Sequence, residues 1–141
     1  MTIVLDTNVL FAALTAREGF CAWLFELCIS RHSIVASEHI FTELRRHLTT
    51  KSRLSAEQIE TSISAIRGAV VKIVIPAPIN LDACRDPNDL PILGTAIASS
   101  AQVIVTGDKD LLVLGEFQSV LILAPRVFRD RFIQSGENPI A

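Results

Sequence analysis

The chain has 141 residues, with thirteen lysines and arginines against fifteen aspartates and glutamates, a net charge of −2. That length fits one domain with little room for a second, and the charge advertises no nucleic-acid surface, so a polyanion would have to meet local basic patches or bound cations. No apolar run approaches the roughly 18 residues of a membrane-spanning helix, and Met1–Leu5 is too short for a signal-peptide core before Asp6 interrupts it.

Thr2–Leu5 is a short β-rich run ending at Asp6, the pattern of a buried parallel strand. Phe20, Trp23, Leu24, Leu27 and Cys28 recur at helical spacing and predict a helix from Gly19 to about Ser30. Ser33–Ala36 reads as a strand, and Ser37 as the cap of a helix striped by Ile40, Phe41, Leu44 and Leu48. Ser55-Ala56-Glu57-Gln58 fits a capping box, with Ile59, Ile63 and Ile66 following and Gly68 closing the helix. Val70–Ile75 reads as a strand, broken by Pro76 and Pro78.

Arg85-Asp86-Pro87-Asn88 reads as a turn, with Asn88 capping a helix that runs to about Ser100. Gln102–Val105 is a buried strand that exits through Thr106-Gly107-Asp108. Val120–Leu123 is the last strand, Pro125 opens a short helix through Phe132, and the tail from Ser135 is expected to fray. Strands alternating with helices imply an α/β domain with parallel pairing through crossover helices. Ligands in such sheets bind beyond the carboxyl ends of the strands, which is where Asp6 and Asp108 fall.

Cys21, Cys28 and Cys84 contain no CxxC pair and cannot all be paired. They read as buried free thiols of a reducing compartment, so a cytoplasmic location without membrane attachment is expected.

Four segments carry chemistry: Asp6-Thr7-Asn8 at a strand end, Glu43 on a helix, Asp86 to Asp89 at a helix start, and Thr106 to Asp110 beyond a strand. Each alone has an ordinary reading as a turn, a cap or a solvated face. Together they are hard oxygen ligands suited to Mg²⁺ or Mn²⁺. Converging carboxylates repel unless some hold protons. A divalent ion removes that repulsion and brings Lewis-acid chemistry to a phosphodiester, while Asn8 and Thr106 are placed to orient the acids.

Leu5-Asp6-Thr7-Asn8-Val9-Leu10, Glu43, Arg85-Asp86-Pro87-Asn88-Asp89 and Val105-Thr106-Gly107-Asp108-Lys109-Asp110-Leu111-Leu112 resemble the PIN-domain ribonucleases. The subgroup they are most similar to is the VapC-like toxin component of bacterial toxin–antitoxin pairs. The combination spans roughly residues 2 to 130 and is specific although the single motifs are not. The resemblance implies a three-layer α/β/α sandwich with a central, mostly parallel sheet over residues 1–134, leaving 135–141 as the tail. It implies Asp6, Glu43, Asp89 and Asp108 as the acidic quartet holding Mg²⁺ or Mn²⁺, with Asn8, Thr106, Asp86 and Asp110 in support. It implies an endoribonuclease for single-stranded RNA, held inactive by a small antitoxin protein and dimerising to build its RNA groove.

Competing patterns remain beside this one. His39, Glu43 and His47 share a helix face as zinc-type ligands, but the outer two stand about 12 Å apart along the axis, too far for one ion. Arg45, Arg46, Lys51 and Arg53, with His47, form the densest basic stretch. It is either a solvated helix end favoured by the dipole or a rim that contacts RNA phosphates, to which Arg17, Arg85 and Lys109 would add. A phospho-acceptor signalling domain also sets acids at strand ends, yet it needs a lysine after the last strand, where this chain has Ala124-Pro125. A non-catalytic interaction module of the same fold is the third reading. No Gly-x-Ser-x-Gly elbow or phosphate-binding glycine loop is present.

Overall fold

The computed structural model describes residues 1–133, so the tail expected from Ser135 lies outside the described residues. Six strands, β1 (Thr2–Leu5), β2 (Ser33–Ala36), β3 (Lys72–Ile73), β4 (Val103–Val105), β5 (Glu116–Phe117) and β6 (Val120–Leu123), form one sheet in the order β3-β2-β1-β4-β6-β5. All pairings are parallel except β5 with β6. Seven α-helices accompany them among the described residues: α1 (Thr7–Thr15), α2 (Phe20–Arg31), α3 (Glu38–Lys51), α4 (Ala56–Ala69), α5 (Leu90–Ser99), α6 (Lys109–Leu112) and α7 (Pro125–Phe132). Successive strand residues face opposite sides of a sheet, and Ile3, Val4, Val103, Ile104 and Val105 are all fully buried. Both faces are therefore covered, giving the expected three layers around an all-aliphatic centre.

β1 sits between β2 and β4, with β3 outside β2 and β6 outside β4. The chain thus builds outward from β1 in one direction and then in the other. The reversal point lies between β1 and β4, and it is there that such sheets leave a crevice at the strand ends. Asp6 and the 106–108 exit open into it.

Four expectations need correction, and two helices, α1 and α6, and the short strand β5 have no counterpart in the sequence reading. The Val70–Ile75 strand shrinks to Lys72–Ile73 because β2, its neighbour, turns into α3 after Ala36 and leaves Ile75 nothing to pair with. Val71 and Ile75 stand 65% and 88% exposed on this sheet edge. Ser37 precedes α3 but makes no capping bond; its Oγ accepts the buried hydroxyl of Thr95 at 2.8 Å. Asp86, not Asn88, caps the turn before α5, accepting the Asn88 amide at 2.9 Å. Gly68 lies within α4, which ends at Ala69. The first residues of α1 read as a turn, while Val9, Leu10 and Ala13 bury its inner face. The Ser55/Gln58 capping box forms as expected, with both reciprocal bonds present.

Candidate functional site

The crevice is built on one carboxylate. As β1 ends, Asp6 keeps an extended backbone and caps α1, its Oδ1 accepting the Thr7 amide at 2.7 Å. Its Oδ2 accepts the Thr106 hydroxyl at 2.7 Å and the Asn8 Nδ2 at 3.1 Å. Asn8 reaches across as well, accepting the Gly107 amide at 2.8 Å through Oδ1. The Thr106 hydroxyl in turn accepts the Asp108 amide at 3.0 Å and Asn8 Nδ2 at 3.3 Å, so its one donor and two lone pairs are all used. The ends of β1 and β4 are held as one unit, and Asp108 follows in a fixed position.

Asp108 caps α6, its Oδ1 accepting the Asp110 amide at 2.9 Å. From the other side, the Asp86-capped turn Pro87–Asp89 leads into α5 and carries Asp89 to the helix start. Asp89 makes no capping bond, is only 8% exposed, and its Oδ2 has no hydrogen-bond partner. Asp86, Asp89 and Asp110 each offer an oxygen within 4.8 Å of the others.

The electrostatics follow from that crowding. Burial pushes the Asp89 carboxyl up to about 8, and the adjoining Asp108 carboxyl and the charges of Asp6 and Asp86 add to it. Burial also raises Asp6, an effect the Thr106, Thr7 and Asn8 bonds oppose and the Asp108 charge reinforces. An orphaned, nearly buried carboxylate oxygen facing other carboxylates is costly unless protonated or bound to a cation. The donor set, all hard oxygens, fits Mg²⁺ or Mn²⁺.

Glu43 is engaged differently. Its carboxylate takes Arg46 Nη2 at 2.5 Å, with His47 Nε2 at 3.6 Å. Burial alone would raise it, but the Arg46 bond and the charges of Arg46, His39 and His47 leave it below its ordinary value. His47 links this face to the crevice: burial and the Lys51 and Arg46 charges lower it, against Glu43 and Asp6. Among the described residues, the convergent metal-type cluster contains no histidine, so His39, Glu43 and His47 do not close on one zinc.

Within the basic stretch, Arg45 pairs with Glu60 at 2.9 Å and Arg46 with Glu43, whereas Lys51 and Arg53 line a cavity. Arg85 approaches Asp110 at 3.9 Å.

Two further residues shape the site. Cys84 is buried beneath it, its thiol donating to the Asp86 carbonyl at 3.2 Å and so fixing the turn before Asp89. Gly94 lets α5 approach the 76–77 segment: a Cβ there would lie 2.3 Å from the Ala77 carbonyl oxygen. A glycine inside an otherwise apolar helix pattern was the available hint.

The family model for the PIN domain matches residues 2–110. The chain belongs to the PIN domain family. The uncharacterized protein MJ1680 of Methanocaldococcus jannaschii is 28% identical over 122 residues, covering 79% of this chain and 74% of that protein. Two crystal structures share the PIN fold. One is VapBC2 from Rickettsia felis bound to a DNA fragment from their promoter, with TM-score 0.62, 18% identity, and 86% of this chain and 97% of that one covered. The other is FitAcB from Neisseria gonorrhoeae, with TM-score 0.54, 21% identity, and coverage of 88% and 98%. Among the described residues of this PIN domain, no helix is long and apolar enough to cross a membrane.

Proposed function

We propose that this PIN domain is a metal-dependent endoribonuclease that cuts single-stranded RNA and serves as the toxin of a toxin–antitoxin pair. The observation that carries the reading is Asp89, buried at the strand-end crevice with an unsatisfied oxygen among neighbouring carboxylates. Asp6, Glu43, Asp89 and Asp108 would hold Mg²⁺ or Mn²⁺, with Asn8, Thr106, Asp86 and Asp110 supporting them. Bound there, the ion supplies Lewis-acid stabilisation of phosphoryl oxygens and a nucleophile at neutral pH.

The protein's own contribution is positional. Thr106 and Asn8 hold Asp6 Oδ2 in place and bind the β1 and β4 ends together. Burial and the neighbouring carboxylates favour a proton on Asp89, which it would release on holding a divalent ion. Arg46 holds Glu43 ionised. Lys51 and Arg53 remain available to RNA phosphates, while Arg45 and Arg46 are occupied by Glu60 and Glu43.

VapBC2 of Rickettsia felis and FitAcB of Neisseria gonorrhoeae share this fold. By analogy, this chain would bind a small antitoxin in the cytoplasm and pair with a second copy. The nuclease domain would span residues 1–134. A phospho-acceptor role is disfavoured because Ala124 leads β6 directly into α7 with no lysine between.

Purified protein supplied with Mn²⁺ should cleave a single-stranded RNA, and both EDTA and Asp6→Asn should abolish cleavage with the fold intact by circular dichroism. Cleavage that survives both treatments rejects the assignment.

A further inference from the structure

Three cations surround a cavity that the carboxylate site does not use. It holds about 710 Å³ between α1, the end of α3 and the loop into α4, and Arg17, Lys51 and Arg53 lie on its walls. All three are exposed, and among the described residues none of their side chains has an ion-pair or hydrogen-bond partner. This differs from Arg45, Arg46 and Arg67, which carboxylates occupy. The helix dipole accounts for Lys51, the last residue of α3. It leaves Arg17 and Arg53 unexplained, since both lie outside the helices.

The rest of the lining is not that of an ion hole. Phe11 and Leu54 give it a half-buried apolar floor, and Gln58 brings an amide. His47 connects the cavity to the crevice. Phe11 packs its ring edge-on against His47, centroids 6.5 Å apart, and His47 feels both Lys51 beside the cavity and Asp6 in the crevice. Along α1, Phe11 stands about 7.5 Å beyond Asp6 at about 1.5 Å per residue.

We infer that this cavity is a subsite for one unstacked nucleotide of a single-stranded RNA, flanking the phosphate held at the carboxylates. The inference rests on the ribonuclease reading above and deepens it. Arg17, Lys51 and Arg53 take the flanking phosphates, and the base lies over Phe11 with its edge toward Gln58. An aromatic face accepts any base by stacking, and cations beside it track the backbone. Gathering three unpaired cations on one wall lets a chain of net charge −2 hold a polyanion without a globally basic surface.

The test is fluorescence anisotropy of a labelled single-stranded RNA dodecamer, titrated with salt in EDTA so that nothing is cut. Wild type is compared with the Arg17→Ala/Lys51→Ala/Arg53→Ala variant and with a Lys72→Ala/Arg131→Ala control. The slope of log affinity against log salt should fall by about 2 in the triple variant, at about 0.7 per released phosphate contact on a single strand. The control should keep the wild-type slope. Photo-crosslinking of the same RNA carrying 5-bromouridine should mark the peptides containing Phe11 or Leu54, and Phe11→Ala should remove the first mark. An unchanged slope, crosslinks elsewhere, no binding at low salt, or equal competition by polyglutamate would overturn the subsite. RNA cut by wild type with Mn²⁺ together with an unchanged slope would reject the subsite alone. Binding through these residues without any cleavage would reject the nuclease reading and leave the subsite standing.

Discussion

The Thr106 hydroxyl donates to Asp6 Oδ2 at 2.7 Å although the two residues are a hundred positions apart, and Thr106 is fully buried. The bond joins β1 and β4, the parallel strands on either side of the reversal point of the sheet, and it holds the first acid of the crevice in place. Thr106→Val keeps the shape but leaves Asp6 Oδ2 and the Asp108 amide each short of a partner. A loss of about 1–3 kcal/mol in denaturant unfolding is expected. Thr106→Ser should recover most of it. Because this bond lowers the Asp6 carboxyl, the acid limb of any activity profile should move to higher pH in the valine variant.

Asp89 makes metal-free stability depend on pH in an unusual direction. Its carboxyl sits near 8 in the folded chain against 3.8 for an unperturbed aspartate, so the folded state binds the extra proton between those values. Its contribution is fully present below about pH 4 and is lost as pH rises toward 8. His32 and His47 are held below their ordinary values and act in the opposite sense near pH 6. The readout is therefore the difference between wild type and Asp89→Asn. In EDTA, the melting temperature of wild type should fall relative to the variant from pH 5 to pH 8, and excess Mn²⁺ should remove that fall. Parallel curves in EDTA would refute the crowded-acid picture.

Glu43 separates chemistry from stability. Its pair with Arg46 lies on a partly exposed helix face, so Glu43→Gln should change stability by less than about 1 kcal/mol. Cleavage of RNA should nevertheless drop by about a hundredfold or more if Glu43 swings from Arg46 to the metal, a scale typical of losing one preorganised electrostatic group. Paired melting and cleavage assays decide it.

Much of the frame was legible because local signals agreed with tertiary ones. The Ser55/Gln58 box, the Ile40–Leu48 stripe and the aliphatic runs of β1 and β4 each have one physical reading. The failures share a cause: they depend on what lies across space. Lys72–Ile73 is short because β2 turns away, Ser37 forgoes its cap for Thr95, and Asp86 outcompetes Asn88 because the 3₁₀ turn starts one residue after it. The acids at the strand ends could be placed from topology alone. That Asp89 would be buried with an oxygen unsatisfied, and that Arg46 and His47 would hold Glu43, required coordinates.

Gly94 offers an independent probe of how α5 positions Asp89. Gly94→Ala forces a Cβ onto the Ala77 carbonyl oxygen and within 3.0 Å of Pro76 Cβ, so α5 must move. A cost of about 1–3 kcal/mol is expected from overpacking, together with weaker Mn²⁺ binding despite an intact set of carboxylates. An alanine variant with unchanged metal affinity would show that α5 does not set the position of Asp89.

Replacement of the Asp89 proton by a divalent ion is read by calorimetric titration of Mn²⁺ near pH 6.5, repeated in two buffers of different ionisation enthalpy. Saturable one-site binding should release close to one proton in wild type and essentially none in Asp89→Asn, with weaker affinity in the variant. Absence of binding at millimolar Mn²⁺, or the same proton count in both proteins, would contradict the account.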